Sequence, residues 1–263
     1  MAFINDDVRE VVWRVKLGEK RFVPIVAVHT QSLVGGDVNR RITCVILTVL
    51  VAVDRAGAVS DDGETHQGSH DIAYLRSMPG MIVCAPADAQ ELSSMLEFAL
   101  KHDGPVALRY PRDAAAQENV GGGGRIALGK GRVLRDGGDV CLFCLGAAVK
   151  ASLAAADMLA KDAVSAAVVN ARFASPLDSG LLAKFAERTG AIATVEDGVL
   201  AGGFGSAALE CLESAGITAR TLRIGLPAKP LPHAKRPALL KLSGLDAAGI
   251  RSRVLTFLKR KPS

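Results

Sequence analysis

The sequence predicts an α/β protein built from two consecutive α/β domains. Short β-branched and aliphatic runs alternate with stretches of helical period on both sides of residue 120, an order that implies parallel sheets. Four consecutive glycines at 121–124 read as a linker between the two halves. At 263 residues and 49% hydrophobic content, the chain can bury a core in each half. The expected division is 1–120, with 1–21 unassigned, then the linker at 121–124 and a second domain at 125–263.

Taken in order, residues 1–21 are charged and aperiodic, and residues 23–28 read as a strand. Gly35, Gly36, Asp37, Arg40 and Arg41 form a loop or short helix before an apolar strand at 45–53. Residues 81–84 are a short buried strand. Asp88 then caps a helix, with Glu91 three residues on at capping-box spacing and Leu92, Met95, Leu96, Ala99 and Leu100 in one stripe. Asp103 and Gly104 end it, and residues 106–110 return as a strand. Beyond the glycines, strands are expected at 126–134, 140–145, 164–169, 191–195 and 218–224. Helices are expected at 150–159, from Asp178 with Leu181, Leu182 and Phe185 inward, at 207–212, 237–242 and 247–258.

Composition narrows the partners. The formal charge of +5 suits anionic ligands, but the basic residues are scattered apart from Lys259, Arg260 and Lys261. Nucleic-acid binders cluster such residues with aromatics, and only 4% of this chain is aromatic, so small phosphates fit better than polymers. The longest apolar run, 42–53, is too short to span a bilayer as a helix. The first residues carry early acids and no basic segment before an apolar one, unlike a signal or transit peptide. Five cysteines, mostly within apolar runs, fit reduced buried thiols. The expectation is a cytoplasmic protein with no nucleic-acid partner and no membrane insertion.

The chemistry is expected at 54–68, where a buried strand empties into Gly, Asp, Arg and His, because open α/β sheets bind ligands at strand carboxyl ends. An imidazole at His66 beside Asp62 can move protons near neutral pH; the plainer alternative is a surface histidine with a local acid. Arg55 and Arg112 each follow an expected strand. If those strands are neighbours, two planar guanidinium groups flank one crevice and suit a phosphate; otherwise they are two separate surface arginines. His66 and His70 lack the glutamate and unbroken helix of a zinc site, with Gln67 and Gly68 between them, and no metal site is expected. The loop 202–205 departs from the dinucleotide pattern, and Glu196 and Asp197 beside it disfavour an anion, so a tight turn is favoured over a nucleotide site. Cys141 and Cys144 lie three apart on a strand and face opposite ways, which favours buried structure over redox or metal chemistry.

Together the motifs resemble one family. Asp54-Arg55-Ala56-Gly57, Asp62-Gly63-Glu64-Thr65-His66-Gln67-Gly68, Tyr74-Leu75-Arg76, Met78-Pro79-Gly80-Met81 and Ala85-Pro86-Ala87-Asp88 stand in order. They are followed by Arg109-Tyr110-Pro111-Arg112, Pro176-Leu177-Asp178, Thr194-Val195-Glu196, Gly202-Gly203, Ile224-Gly225-Leu226-Pro227 and Gly244-Leu245-Asp246-Ala247-Ala248-Gly249-Ile250. On these the chain resembles the 1-deoxy-D-xylulose-5-phosphate synthases of the transketolase superfamily, strongly over about 51–113 and 140–252. The resemblance implies a partial transketolase pyrimidine-type domain followed by a transketolase C-terminal domain. It implies thiamine diphosphate and Mg2+ as cofactors, and decarboxylative condensation of pyruvate with glyceraldehyde 3-phosphate, feeding isoprenoid, thiamine and pyridoxal synthesis. Arg55 and Arg112 then correspond to phosphate-binding arginines, and Asp62 and His66 to the pair lining the substrate and thiazolium site. A homo- or hetero-oligomer is implied.

The departures set a second expectation. The family's Gly-Asp-Gly segment, which holds magnesium and the cofactor diphosphate, and its Ala-Glu-Gln-His segment, whose glutamate activates the cofactor, have no counterpart in these residues. Collinearity puts the latter near Asp6 and Asp7. His29-Thr30-Gln31-Ser32 stands where a Tyr-Ser-Thr-Phe segment is usual, Asp113 where Gly is, and Ala228 where Asp is. The chain is therefore expected to be a truncated or divergent synthase that does not hold and activate the cofactor alone. The alternatives are one chain of a split enzyme, a non-catalytic remnant or interaction subunit of a full-length synthase, and a gene-model artefact at the N-terminus.

Overall fold

Aliphatic runs become strands where both faces can be covered. The computed structural model describes residues 2–4, 11–17, 21–27, 49–60, 63–113 and 119–260. Along the chain, the first strands are β1 (Ala2–Ile4), β2 (Val11–Leu17), β3 (Arg21–Ala27) and β4 (Leu50–Val53). Next come a 3-10 turn (Glu64–His66), α1 (Asp71–Leu75), β5 (Ile82–Cys84), α2 (Ala89–Lys101), β6 (Val106–Arg109) and β7 (Arg132–Arg135). The remainder is β8 (Val140–Cys144), α3 (Ala148–Lys161), β9 (Ala166–Asn170), β10 (Phe173–Ser175), α4 (Ser179–Thr189), β11 (Ala191–Val199), α5 (Phe204–Ser214), β12 (Arg220–Leu226), α6 (Arg236–Leu242) and α7 (Ala247–Lys259).

Among the described residues the strands make three sheets. β1, β2 and β3 form an antiparallel one in which Trp13 lies opposite Ala2 and Ile25. The expected strand at 23–28 is present to Ala27, but it pairs with β2 rather than opening a parallel unit. The second sheet has the order β10-β5-β6-β4, with β4, β5 and β6 parallel, as the strand–helix–strand order through α2 requires. Its fourth member, β10, comes from far along the chain and pairs antiparallel with β5, Phe173 opposite Cys84. The third sheet runs β12-β11-β8-β9-β7, parallel except for the edge strand β7.

Core packing follows the strand alternation. On β8, Val140, Leu142 and Cys144 pack with Val149, Leu159 and Ile250 from α3 and α7. Cys141 and Phe143 face Leu182, Phe185 and Phe204 from α4 and α5, with the Phe143 and Phe204 rings stacked 5.6 Å apart. That second cluster also takes in Val83 and Ala107, so the second and third sheets share one apolar layer. Asp88 caps α2 by accepting the Glu91 N–H at 2.8 Å, and Asp178 caps α4 by accepting that of Leu181 at 3.1 Å.

Several expectations are corrected. The strand expected at 126–134 is confined to Arg132–Arg135. Gly129, at φ 62°, and the Lys130 N–H bond to the Ala127 carbonyl turn the chain before it. β11 continues four residues past Val195, α5 starts at Phe204, and α1 and β10 are too short to show a period. The glycine run at 121–124 is a tied-down crossing: the Gly121 N–H donates to Asp88 at 2.6 Å, and the Gly123 carbonyl accepts from Arg132 and Arg172 at 2.6 and 2.7 Å. Gly122, Gly123 and Gly124 have φ of 83°, 60° and 83°, where side chains are strained.

Candidate active site

Two neighbouring strands open the site. β4 and β6 are paired in parallel with Val53 opposite Arg109. Beyond them the ladder runs on, the Tyr110 N–H donating to Val53 and the Ala56 N–H to Tyr110, each at 3.1 Å. Arg55 and Arg112 therefore leave the same carboxyl edge, although the cavity there is lined by Arg112 and not by Arg55. Arg55 is ion-paired with Asp54 at 2.5 Å and sits at φ 60°. Arg112 lines a cavity of about 430 Å³ together with Asp54, Tyr110, Lys150 and Arg236. That cavity lies where residues following β4, β5, β6 and β8 converge.

Residues 55–60 leave β4, and 63–71 lie back against them. The Gly57 N–H donates to Gly68 at 2.8 Å, and the Gly68 N–H to Arg55 at 3.0 Å. Gln67 closes the next rung by accepting the Val59 N–H at 2.7 Å and donating to the Val59 carbonyl at 3.3 Å. His66 is exposed on the 3-10 turn, its Nδ1 3.3 Å from the Thr65 hydroxyl. Asp62, its expected partner, lies outside the described residues, as do 6–7, 29–32, 35–37, 40–41 and Lys261. His70 stands on a different element, at the start of α1, with Nδ1 3.0 Å from the Ser69 hydroxyl. Among the described residues no three His, Cys, Asp or Glu side chains gather to hold a metal ion.

The sequence missed the buried groups behind this loop. Arg109 binds Asp71 at 2.8 Å, the Gly68 carbonyl at 3.2 Å and the Asp197 carbonyl. The Asp197 carboxylate accepts the Ala58 N–H at 3.0 Å and pairs with Arg236. The only sequence signal was Arg109 within Arg-Tyr-Pro-Arg and an acid pair at a strand end. The other acid of that pair, Glu196, is fully buried and accepts the Phe204 and Gly205 N–H groups at 2.8 and 2.7 Å. Its carboxylate thus occupies the anion seat at the start of α5 that a nucleotide would need. Burial raises its pKa, opposed by those N–H bonds and by Arg109 and Arg223.

The paired cysteines divide as strand geometry demands, Cys141 to one core face and Cys144 to the other. Burial pushes the Cys144 thiol up to about 12 and Cys141 well above its usual range, which leaves both inert at neutral pH. No helix among the described residues is long and apolar enough to cross a membrane.

Comparison with known proteins agrees with this architecture. The model of the transketolase pyrimidine-binding domain matches residues 40–117, and that of the transketolase C-terminal domain matches 129–250. A solved structure titled "Split gene transketolase, inactive beta4 tetramer" superposes with a TM-score of 0.73 at 32% identity, covering 82% of this chain and 69% of that one. The chain belongs to the transketolase family. Within that family it is similar to curated 1-deoxy-D-xylulose-5-phosphate synthases. The Thermomicrobium roseum protein is 46% identical over 81% of this chain and 34% of its own length. The corresponding figures for the Anaeromyxobacter sp. protein are 44%, 86% and 37%, and for synthase 1 of Geobacter sulfurreducens 41%, 95% and 40%. The chain thus spans about a third to two fifths of the length of these relatives.

Proposed function

We propose that the chain serves a 1-deoxy-D-xylulose-5-phosphate synthase-type reaction, the decarboxylative condensation of pyruvate with glyceraldehyde 3-phosphate, and supplies its aldehyde-phosphate half-site. The supporting observation is that Arg55 and Arg112 leave adjacent parallel strands at one carboxyl edge. Two guanidinium forks there can bind a phosphate from two sides, once Arg55 exchanges its exposed Asp54 partner for it. In this reading His66, on the loop tip, and Asp62 handle protons beside the aldehyde carbon. Thiamine diphosphate with Mg2+ would supply the electron sink that lets pyruvate lose carbon dioxide and makes its remaining two carbons nucleophilic. The inert thiols of Cys84, Cys141 and Cys144 fit the reducing cytoplasm.

A second reading has its own support. A solved split-gene transketolase chain is covered over 69% of its length, and its title describes it as an inactive β4 tetramer. By analogy, this chain is one part of a split thiamine-diphosphate enzyme and acts in an oligomer with a chain bearing the diphosphate site.

The test is turnover of pyruvate and glyceraldehyde 3-phosphate with thiamine diphosphate and magnesium. The chain is assayed alone and mixed with the separately produced N-terminal domain of a relative, alongside calorimetric titration with glyceraldehyde 3-phosphate. Binding of the aldehyde phosphate supports the half-site, turnover only on mixing supports the second reading as well, and turnover by the chain alone removes the second reading. Absence of both turnover and aldehyde-phosphate binding overturns both.

A further inference from the structure

We infer that Asp197 and Arg236, from the C-terminal domain, are positioning residues that set the phosphate-binding loop of the pyrimidine-type domain. The inference rests on the phosphate role proposed for Arg55, and it assigns part of the half-site to a domain that contributes neither arginine of that pair.

Successive residues at the end of β11 face opposite ways. Glu196 turns to the start of α5, which fixes the strand tip to its own domain, and Asp197 turns outward to the other one. Its Oδ1 takes the Ala58 N–H at 3.0 Å and its Oδ2 takes the Arg236 guanidinium. Arg236 then closes a second contact, its backbone N–H donating to the Ser60 hydroxyl at 2.7 Å. On the returning side, the Asp197 carbonyl accepts from Arg109, which also binds Gly68 and Asp71. Both limbs of the loop are thus fastened to one residue of the other domain.

The loop needs that fastening. Arg55 and Gly57 have φ of 60° and 73°. For an arginine this is a sparsely populated conformation that persists only where surrounding contacts over-determine it. The fit against Asp197 is close enough that a Cβ on Gly57 would overlap its carboxyl group. Asp71, Arg109, Asp197 and Arg236 are all buried, with two charges of each sign, so the fastening is desolvated and balanced. Releasing Asp197 frees Ala58 and lets Arg55 relax toward an ordinary backbone, away from the edge it shares with Arg112.

The experiment is calorimetric titration of the full chain with glyceraldehyde 3-phosphate, together with hydrogen exchange of residues 55–60. It compares wild type, Asp197→Asn, Ser60→Ala and Arg112→Ala. Ser60→Ala removes one peripheral contact and serves if Asp197→Asn does not fold. The expected result is affinity weakened about tenfold by Asp197→Asn, the equivalent of one charge-assisted hydrogen bond, and a few-fold by Ser60→Ala. Faster exchange at Ala58 accompanies both. A merely structural role would accelerate exchange throughout the chain while leaving the affinity of the folded protein unchanged, and that result overturns the inference. If Asp197→Asn and Ser60→Ala bind as wild type does while Arg112→Ala fails, the positioning role falls and the proposed half-site stands. Wild type failing to bind, or Arg112→Ala binding equally well, removes both.

Discussion

Glu91 and Arg172, 81 residues apart, form a buried ion pair at 2.7 Å that ties the first helix turn of α2 to the loop between β9 and β10. The carboxylate is fully used: it also accepts the Ala87 N–H at 2.8 Å and both contacts from the Asn170 amide at 3.0 Å. Glu91→Ala leaves Arg172 buried and uncompensated, so a loss of about 3–5 kcal/mol is expected in urea unfolding. A loss below about 1 kcal/mol would refute the assignment, since that is the range of exposed pairs.

Gly57→Ala tests the closeness of the two domains. The new methyl group meets the Asp197 carboxyl, and the residue must hold φ 73°. A destabilisation of about 2 kcal/mol or more is expected from the left-handed backbone and the overlap together. Gly63→Ala serves as the control: it shares a positive φ but has open space around it, so it shows the backbone cost alone.

Arg112→Ala, in an active assembly containing this chain, should raise the KM for glyceraldehyde 3-phosphate by about 10- to 100-fold, the loss of a charged hydrogen bond. The KM for pyruvate should move far less. Equal shifts for the two substrates would remove the phosphate role.

Thiol labelling separates the cysteines. Burial, with a smaller contribution from the Glu91 charge, pushes the Cys84 thiol up to about 12; Cys144 reaches about 12 through burial alone, partly offset by Ser152. At pH 8 in the native state, peptide mapping after alkylation should find Cys84, Cys141 and Cys144 protected and the half-buried Cys211 modified first among these four. Rapid native modification of Cys144 would contradict its place in the core.

Asp162, which closes α3, receives two hydrogen bonds from Arg251 of α7 at 2.5 and 2.6 Å. They hold its carboxyl below the ordinary 3.8. A lowered folded-state value means the pair stabilises the fold above that pH and ceases to do so as pH falls through the folded value. Asp162→Asn should therefore be less stable than wild type at pH 5–7, with the gap closing below about 3.8, as followed by thermal unfolding across pH.

These contacts mark how far the sequence could be read. Asp88, Asp178 and the stripe containing Met95 announce their helices through local spacing, and β8 is legible as an unbroken apolar run. Arg55 and Arg112 could be named, because each follows a strand, but their adjacency depends on the pairing of β4 with β6. Nothing local marks the partners of Asp197, since Ala58 lies 139 residues away and donates through its backbone. The glycines at 121–124 signalled conformational freedom, whereas Asp88, Arg132 and Arg172 decide what that freedom is used for. α1, at five residues, offers too few positions for a period to appear.

The strand β10 has a consequence for inheritance. Phe173 and Ser175 are encoded well downstream of the glycine crossing, yet they complete the sheet that begins at Leu50. A crossover between two related genes at the glycines would unite a β5 from one parent with a β10 from the other. Cys84 and Phe173 would then have to pack across the join, so a chimera made there keeps its second sheet intact only if the two parents agree at this pair.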